Sequence, residues 1–222
     1  QNIRGFAILQ LLLGNLGVPG GGMNAMRGEA NVQGSTDMGL LYHSLPGYLP
    51  APSTKNHPNL KSFLDKIYVK DSWNENAPKF MVSMLKAFWG DKATKENDFC
   101  YDWLPKFSKP HAFMDMFNDM MDKKLKGLMV WGMNPVVSGP NYEKTVQGLA
   151  NLEWLLCVDL FESETARFWK RPGVDPKTIN TEVFMLPAAS MVEKGGSATN
   201  TSRLLQMRSK SVDPIGDCKD DG

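Results

Sequence analysis

The sequence has 222 residues, of which 42% are hydrophobic, with 25 lysines and arginines against 24 aspartates and glutamates. A chain of this length can bury the core of one large α/β domain or form part of a larger protein. The net charge of +1 and the lack of a basic stripe argue against a nucleic-acid-binding protein. The apolar run FAILQLLL is shorter than the roughly 20 residues that span a bilayer, so no transmembrane segment is predicted.

The cysteines and histidines do not have the spacing of a metal site. Cys100, Cys157 and Cys218 lie far apart and form no CxxC pair, and the three histidines lack ligand spacing among themselves or with carboxylates. We therefore predict no metal ligand in this stretch. The cysteines are expected to be free thiols, and buried.

In chain order, the first element is a helix over residues 3–13, IRGFAILQLLL, which we expect to be buried and to end at Gly14. Residues 14–34, here called the glycine-rich loop, contain seven glycines, and Arg27 is their only cation. Because each glycine held in one conformation costs roughly 1 kcal/mol relative to alanine, the loop predicts close backbone approach to a large, flat, polar ligand. A guanidinium suits a carboxylate or a phosphate, although Arg27 could instead pair with Glu29 or a distant acid and brace the loop.

The next stretch combines turns and short helices. Four prolines between residues 46 and 58 predict surface turns and extended chain. Within PKFMVSMLKAFWG, the spacing predicts a helix closed by Gly90, with one apolar face made of Phe80, Met81, Met84, Leu85 and Phe88. The Met-rich stretch HAFMDMFNDMMDKKLKG predicts a second amphipathic helix, whose methionines fill core space.

After Gly127 the pattern changes to strand, helix and strand. The apolar runs LMVWG, EWLLCVDLF and EVFMLPAA predict parallel strands, the first of them buried on both faces, and NYEKTVQGLANL predicts a crossover helix. These elements predict an α/β fold with a Rossmann-like, doubly wound parallel sheet flanked by helices. The polar stretch SATNTSRLLQMRSKSVDP predicts a loop followed by a strand or a short helix.

Two loops leave the carboxyl ends of the predicted strands, where ligands bind in open parallel sheets. They read GMNPVVSGPN and DLFESETA, and neither contains GxGxxG or a Walker A sequence. In the first, Gly132 permits close backbone approach and Asn134 could pair with a base or a ribose. In the second, Asp159 could accept from ribose hydroxyls or a guanine edge, while Ser163 and Thr165 could donate to phosphate. The alternative is that these residues only cap and turn the chain.

The ordered set of motifs resembles a known family. GNLGVPGGGMNAMRGEANVQGSTDMG, LPGYLP, MLKAFWGDKATKEN, YDWLPK, VWGMNPV, DLFESETARFW, TEVFMLPA and EKGGSATNTSRLLQ follow the order found in molybdopterin-dependent oxidoreductases of the dimethyl sulfoxide reductase superfamily. Within it, the chain is most similar to the catalytic (alpha) subunits of respiratory, periplasm-facing formate dehydrogenases. The resemblance covers essentially the whole sequence.

The resemblance implies a function and a set of site residues. Family members bind two molybdopterin guanine dinucleotides on one molybdenum or tungsten ion, ligated also by selenocysteine or cysteine, and oxidise formate to carbon dioxide. Arg27 matches the arginine that orients the substrate carboxylate. The residues that match cofactor-binding loops are Gly28, Gln33, Gly34, Gly132, Asn134, Pro135, Asp159, Ser163 and Thr165.

The resemblance also implies that this chain is a central piece of a longer catalytic subunit. The metal ligand, its histidine neighbour and the iron–sulfur cysteines lie upstream in the family, so we expect the piece alone to be inactive and to bind neither metal nor pterin. The expected partners of the parent are formate, an iron–sulfur electron-transfer subunit and a cytochrome subunit. Its expected location is the periplasm, with the cytoplasm as the alternative.

Within this piece we expect three parts. These are a helix with the glycine-rich loop (1–50), a helical and irregular insertion (51–110), and the Rossmann-like part (111–222). Two other functions stay open, namely a related molybdoenzyme acting on another anion such as nitrate, and a non-catalytic scaffold homologue.

Overall fold

The computed structural model of the chain describes residues 2–27 and 29–221. This part of the chain contains both α-helices and β-strands. The α-helices are α1 (Asn2–Leu12), α2 (Val32–Asp37), α3 (Leu60–Ile67), α4 (Ala77–Trp89), α5 (Phe113–Met121), α6 (Pro135–Ser138) and α7 (Tyr142–Ala150). The strands are β1 (Ser44–Leu45), β2 (Leu49–Pro50), β3 (Gly127–Trp131), β4 (Trp154–Asp159), β5 (Glu182–Pro187), β6 (Gly196–Thr199) and β7 (Leu205–Arg208). Short 3₁₀ helices span Pro46–Tyr48, Trp73–Asn76, Gly90–Lys92, Lys95–Trp103, Phe168–Lys170 and Pro176–Thr178.

The predicted parallel sheet is present and positions the strand-end loops. Strands β3, β4 and β5 pair in parallel in that order, with Gly127 opposite Trp154 and Trp154 opposite Glu182. Helices α5 and α7 pack against one face, over the buried Val130, Leu155 and Cys157. The α/β prediction is therefore confirmed.

The winding of this sheet differs from the prediction. Because spatial order follows chain order, the described strands wind in one direction and show no reversal, so the expected doubly wound arrangement is absent among them. The expectation that the first strand is buried on both faces is also wrong. Met129 and Trp131 of β3 are half-exposed, as are Phe184 and Leu186 of β5, because no described helix covers this second face.

A second hydrophobic cluster lies outside the sheet. It joins α3, α4 and the 3₁₀ segment Lys95–Trp103 through fully buried side chains that include Phe63, Met81, Leu85 and Tyr101. The predicted three-part division places most of this cluster in its second part, with the buried Leu49 in the first, and places the sheet in the third. The division itself stays a prediction.

The apolar faces predicted for α4 and for the next helix in the chain, α5, are only partly buried. Met81 and Leu85 are buried as expected, but Phe80 and Phe88 lie outside the core and are about half-exposed. The buried stripe of α4 is therefore narrower than the run of apolar residues indicates. In α5, Met120 is fully buried within the sheet cluster, which confirms methionine as core filler there.

The first helix forms where predicted but is not buried. Gly14 follows it with a φ of 67°, the left-handed conformation expected after a helix. However, α1 has no buried residue, and Ile3 and Leu12 are 76% and 80% exposed. Apolar residues lie on all sides of this helix, which is typical of a helix that is buried within a protein. The described residues do not bury it. None of the helices in the described part is long and apolar enough to cross a membrane.

Candidate functional site

The segment around Arg27 is joined to the C-terminal hairpin formed by β6 and β7. The Arg27 backbone N–H donates to the Thr201 hydroxyl at 3.2 Å, and the Asn31 side chain accepts from the Thr199 N–H at 3.0 Å. Sequence reasoning missed this hairpin contact, because the partners lie about 170 residues apart. The contact leaves a cavity of about 140 Å³ between the two segments. Residues lining it include Arg27, Gln33, Thr199, Asn200, Thr201 and Gln206.

The side chain of Arg27 has a neutral partner. Its Nη1 donates to the Gln33 Oε1 at 2.6 Å. Among the described residues, no carboxylate lies within ion-pair distance of the guanidinium, so the alternative pairing with Glu29 is not formed in this structure. Arg27 is exposed, whereas Gln33 is 4% exposed. The Arg27 guanidinium therefore lines the cavity without an ion-pair partner among the described residues and is held by the buried Gln33, while the Glu29 carboxylate lines the same cavity without pairing with it.

Gln33 and Gly34 are part of helix α2 rather than of a continuous loop, which corrects the expected end of the glycine-rich loop. A methyl group at Gly34 would come within 2.0 Å of the Asn31 Oδ1, the atom that accepts from Thr199. Gly34 thus makes room for the link to the hairpin. Gly28, predicted to bind the cofactor, lies outside the described residues.

The rest of the glycine-rich loop is exposed backbone. Gly20 and Gly22 have φ values of 78° and 114°, which favour glycine, and open space lies where a side chain would begin. At Gly21, by contrast, a methyl group would meet the Asn15 carbonyl oxygen at 2.2 Å, so this glycine is required by packing within the loop. The bare, open backbone fits the close approach of a large ligand.

The two strand-end loops meet through Asn134 and Thr165. The Asn134 Oδ1 accepts from the Thr165 N–H at 3.2 Å and from the Thr165 hydroxyl at 2.8 Å. The Asn134 Nδ2 donates to the Glu164 carboxylate at 2.6 Å. Backbone N–H donation at Glu164 and then the Asn134 amide lower the pKa of the Glu164 carboxyl. In this arrangement both Asn134 and Thr165 serve to hold the loops together, and their roles in ligand binding stay predictions.

The other predicted residues at this edge have different environments. Gly132, with a φ of 55°, follows β3 and donates to the Val158 carbonyl at 2.9 Å, while Pro135 is buried at the start of α6. Asp159 ends β4 and uses Oδ1 to accept from the Leu160 N–H at 2.7 Å. Among the described residues, neither the Asp159 Oδ2 nor the Ser163 hydroxyl has a hydrogen-bond partner, so both are free to bind a ligand.

A cleft beside this edge was not predicted from the sequence. It contains three cations, of which Arg167 pairs with Glu164 in the same lining and Lys170 pairs with Glu162. Its volume is about 410 Å³, and Arg167, Lys170 and Arg171 line it with Tyr142 and Phe168. The signal was present as three cations within RFWKR, directly after DLFESETA. None of the hydrogen bonds or ion pairs of the described residues joins this edge directly to the Arg27 segment. The described part also holds no group of three or more histidine, cysteine, aspartate or glutamate side chains able to bind a metal ion.

No family model matches the chain. The alpha subunit of formate dehydrogenase 2 (cytochrome c-553) from Nitratidesulfovibrio vulgaris is 48% identical over 221 residues, which cover 96% of this chain and 22% of that protein. The major subunit of the nitrate-inducible formate dehydrogenase from Escherichia coli is 45% identical over 232 residues, covering 100% of this chain and 23% of that protein.

The chain is a homologue of formate dehydrogenase alpha subunits. It spans between a fifth and a quarter of the length of the curated formate dehydrogenase subunits that it matches. A more distant relative is the catalytic subunit of the assimilatory nitrate reductase of Bacillus subtilis, 26% identical over 99% of this chain and 24% of that protein. The similarity to formate dehydrogenase subunits is much stronger, and the nitrate alternative has only this distant support.

Proposed function

We propose that the chain is the central, cofactor-binding portion of a formate dehydrogenase catalytic subunit, and that Arg27 holds the carboxylate of formate. The observation that carries this proposal is the Arg27 guanidinium, which forms no ion pair among the described residues and lines the cavity between the glycine-rich loop and the hairpin. Since Gln33 engages only Nη1, the guanidinium keeps further N–H donors for an anion. A carboxylate can accept two parallel hydrogen bonds from this planar group.

The charge change in the reaction suits this role. Formate carries a negative charge and carbon dioxide carries none, so Arg27 binds the substrate more strongly than the product. The guanidinium would therefore fix the orientation of formate while its C–H bond is broken, and would let the product leave. Orientation of this kind contributes to rate only if the guanidinium itself is held in place.

The cofactor that we propose for the full-length protein is bis(molybdopterin guanine dinucleotide) with molybdenum or tungsten. The bare backbone at Gly20 and Gly22 fits close contact with a flat pterin, and the free Asp159 and Ser163 oxygens fit the nucleotide end. When bound, this group would take up the two electrons that formate releases together with a proton. We propose that this chain alone binds no metal, which elemental analysis for molybdenum and tungsten would check.

The remaining elements of the proposal concern the parent protein. We propose that it passes electrons to an iron–sulfur cluster and an iron–sulfur subunit, with a cytochrome subunit as a further partner. The name of the relative from Nitratidesulfovibrio vulgaris, which includes cytochrome c-553, supports the cytochrome. The periplasmic location implied by the resemblance stays a prediction, with the cytoplasm as its alternative.

The test is formate-dependent dye reduction by the longer polypeptide that carries this segment. Arg27→Ala should lower kcat/KM at least about thirtyfold, because a charged hydrogen bond contributes about 2 kcal/mol. Lys61→Ala is the control, since Lys61 is an exposed cation on α3 paired only with Asp65. A loss of only a few-fold in Arg27→Ala would contradict the substrate role.

The same preparation separates the alternative functions. Oxidation of reduced dye by nitrate, without formate activity, would favour a nitrate-reducing enzyme. A folded, cofactor-loaded protein that is inactive with both anions would favour the scaffold.

A further inference from the structure

Gln33, the partner of Arg27, belongs to a closed set of hydrogen bonds with Asp37 and Tyr48. The Gln33 Oε1 accepts from Arg27, and the Gln33 Nε2 donates to the Asp37 Oδ1 at 2.7 Å and to the Tyr48 hydroxyl oxygen at 2.6 Å. The Tyr48 hydroxyl in turn donates to the same Asp37 oxygen at 2.5 Å. Gln33, Asp37 and Tyr48 therefore form a triangle, with Arg27 attached at one corner.

The chemistry of these groups allows only one orientation of the Gln33 amide. Arginine can only donate and an ionised carboxylate can only accept, so the amide oxygen must face Arg27 and the amide nitrogen must face Asp37. Hydrogen bonds from Tyr48 and then Gln33 lower the pKa of the Asp37 carboxyl, and the charges of Arg203 and Arg27 act in the same direction. Asp37 thus stays ionised near neutral pH and keeps the amide from turning over.

The backbone places each member of the triangle. Gln33 and Asp37 lie four residues apart on one face of α2. Tyr48 has a φ of 60°, which is uncommon for a bulky residue, and it follows Gly47 at 76°. This sharp turn brings the phenol against α2, and the Arg203 guanidinium lies 5.5 Å from the centre of its ring. Tyr48 is therefore held in an uncommon backbone conformation by contacts with Gln33, Asp37 and Arg203. Such a conformation persists only where the surrounding structure stabilises it.

We propose that Gln33, Asp37 and Tyr48 are positioning residues that act through Gln33 to fix the orientation of the Arg27 guanidinium. The inference rests on the proposed function, since it gives Arg27 the substrate. It differs from the cofactor contact that the resemblance implies for Gln33, because it assigns the side chain to the arginine. Without the triangle, Arg27 remains present and charged but samples many rotamers, so formate binds more weakly.

The test is a double-mutant cycle in the longer polypeptide, read by kcat and KM for formate. Gln33→Met keeps the length of the side chain and removes its hydrogen bonds, and Tyr48→Phe removes only the hydroxyl. We expect KM to rise about tenfold in Gln33→Met and about threefold in Tyr48→Phe, with a smaller change in kcat. In the Arg27→Ala background, adding Gln33→Met should change kcat/KM less than twofold.

A second readout does not depend on turnover. Phenylglyoxal modifies arginine, and mass spectrometry of the Arg27 peptide gives the formate concentration that half-protects this residue. That concentration should rise in Gln33→Met and Tyr48→Phe in parallel with KM. Thr36→Val is the matched control, because Thr36 lies on the same helix and its hydroxyl donates only to the Val32 carbonyl. Both readouts should stay within twofold of wild type in this control.

The outcomes separate the two proposals. If Arg27→Ala lowers kcat/KM and Gln33→Met lowers it equally with and without Arg27, Gln33 acts independently of the arginine and the positioning role is overturned. Unchanged KM and protection in both Gln33→Met and Tyr48→Phe would overturn it as well. If Arg27→Ala itself is near wild type, the substrate role of Arg27 fails instead. Should Gln33→Met not fold, Tyr48→Phe, which keeps its ring, decides the question.

Discussion

The Asn134 Oδ1 accepts two hydrogen bonds from Thr165, one from its backbone N–H at 3.2 Å and one from its hydroxyl at 2.8 Å. The Thr165 oxygen also accepts from the Val136 N–H at 3.1 Å and is fully buried. One hydroxyl thus joins the loop after β4 to the loop after β3. The two carboxyl ends of the strands are held together by this contact.

Thr165→Val should therefore destabilise the chain. The substitution keeps the shape of the side chain but leaves the Val136 N–H without its buried acceptor, which costs about 1–3 kcal/mol. Urea unfolding of the chain, followed by tryptophan fluorescence, measures the loss. Thr178→Val is the control, because the Thr178 hydroxyl donates to the Asp175 carbonyl on an exposed turn. A Thr165→Val chain as stable as this control would show that the hydroxyl does not hold the loops.

A second stability prediction concerns Gly127, which lies opposite Trp154 in the sheet. A methyl group on Gly127 would meet the indole at 2.0 Å, so Gly127→Ala should force the ring to move and cost about 1–3 kcal/mol. Gly5→Ala is a matched control on α1, where nothing lies within 4 Å of the new methyl. It should be neutral or stabilising, since alanine is the better helix former. Equal unfolding midpoints for the two variants would contradict the predicted clash.

The sheet could be predicted from the sequence because its strands are continuous apolar runs separated by an amphipathic helix. The sequence does not predict whether both faces of the sheet are covered, since the run containing Met129 and Trp131 looks the same in either case. The covering of a face depends on parts of the chain that are distant in sequence. The role of the Thr165 hydroxyl was also hidden in the sequence. It was predicted to donate to phosphate, but it donates to Asn134, which lies 31 residues away and could not be recognised as its partner.

The Arg27 site shows the same limit. The arginine and its glycine-rich surroundings are visible in the sequence, and the resemblance supplied the anion. The triangle behind it was not visible, because the position of Tyr48 depends on a left-handed backbone that a tyrosine does not signal. Similarly, nothing local in the sequence indicates that Thr201 lies beside Arg27.

The cysteines give a prediction about reactivity. Burial, and then the charge of Asp159, raise the pKa of the Cys157 thiol to about 11. At pH 8 roughly one Cys157 in a thousand would be the reactive thiolate, and Cys100 is also buried, whereas Cys218 is partly exposed. Titration of the folded chain with Ellman's reagent should therefore show Cys218 reacting first. A fast phase that persists in Cys218→Ser would contradict this order.

The same shift predicts how stability changes at alkaline pH. An unfolded cysteine loses its proton near pH 8.5, well below the pKa of about 11 of the folded Cys157. Because the folded chain holds this proton more tightly, the contribution of Cys157 is complete below about pH 8.5 and declines as the pH rises toward 11. Cys157→Ala should remove this part of the alkaline decline in the urea midpoint, even though it lowers stability at neutral pH. A decline of the same slope in both chains would assign it to other groups.

The uncovered face of the sheet gives the last prediction. Met129 pairs with Leu156 and Leu156 pairs with Phe184 across the three strands, and Trp131, Val158 and Leu186 form the next row. Met129, Trp131, Phe184 and Leu186 on this face are about half-exposed, so the 222-residue chain should self-associate through them. Sedimentation velocity should show a mass that grows with concentration, and the double substitution Met129→Lys with Leu186→Lys should suppress this growth. The same two charges placed at the exposed Thr178 and Asn180 are the control and should leave association largely intact. If both double variants associate alike, net charge rather than the sheet face governs the process.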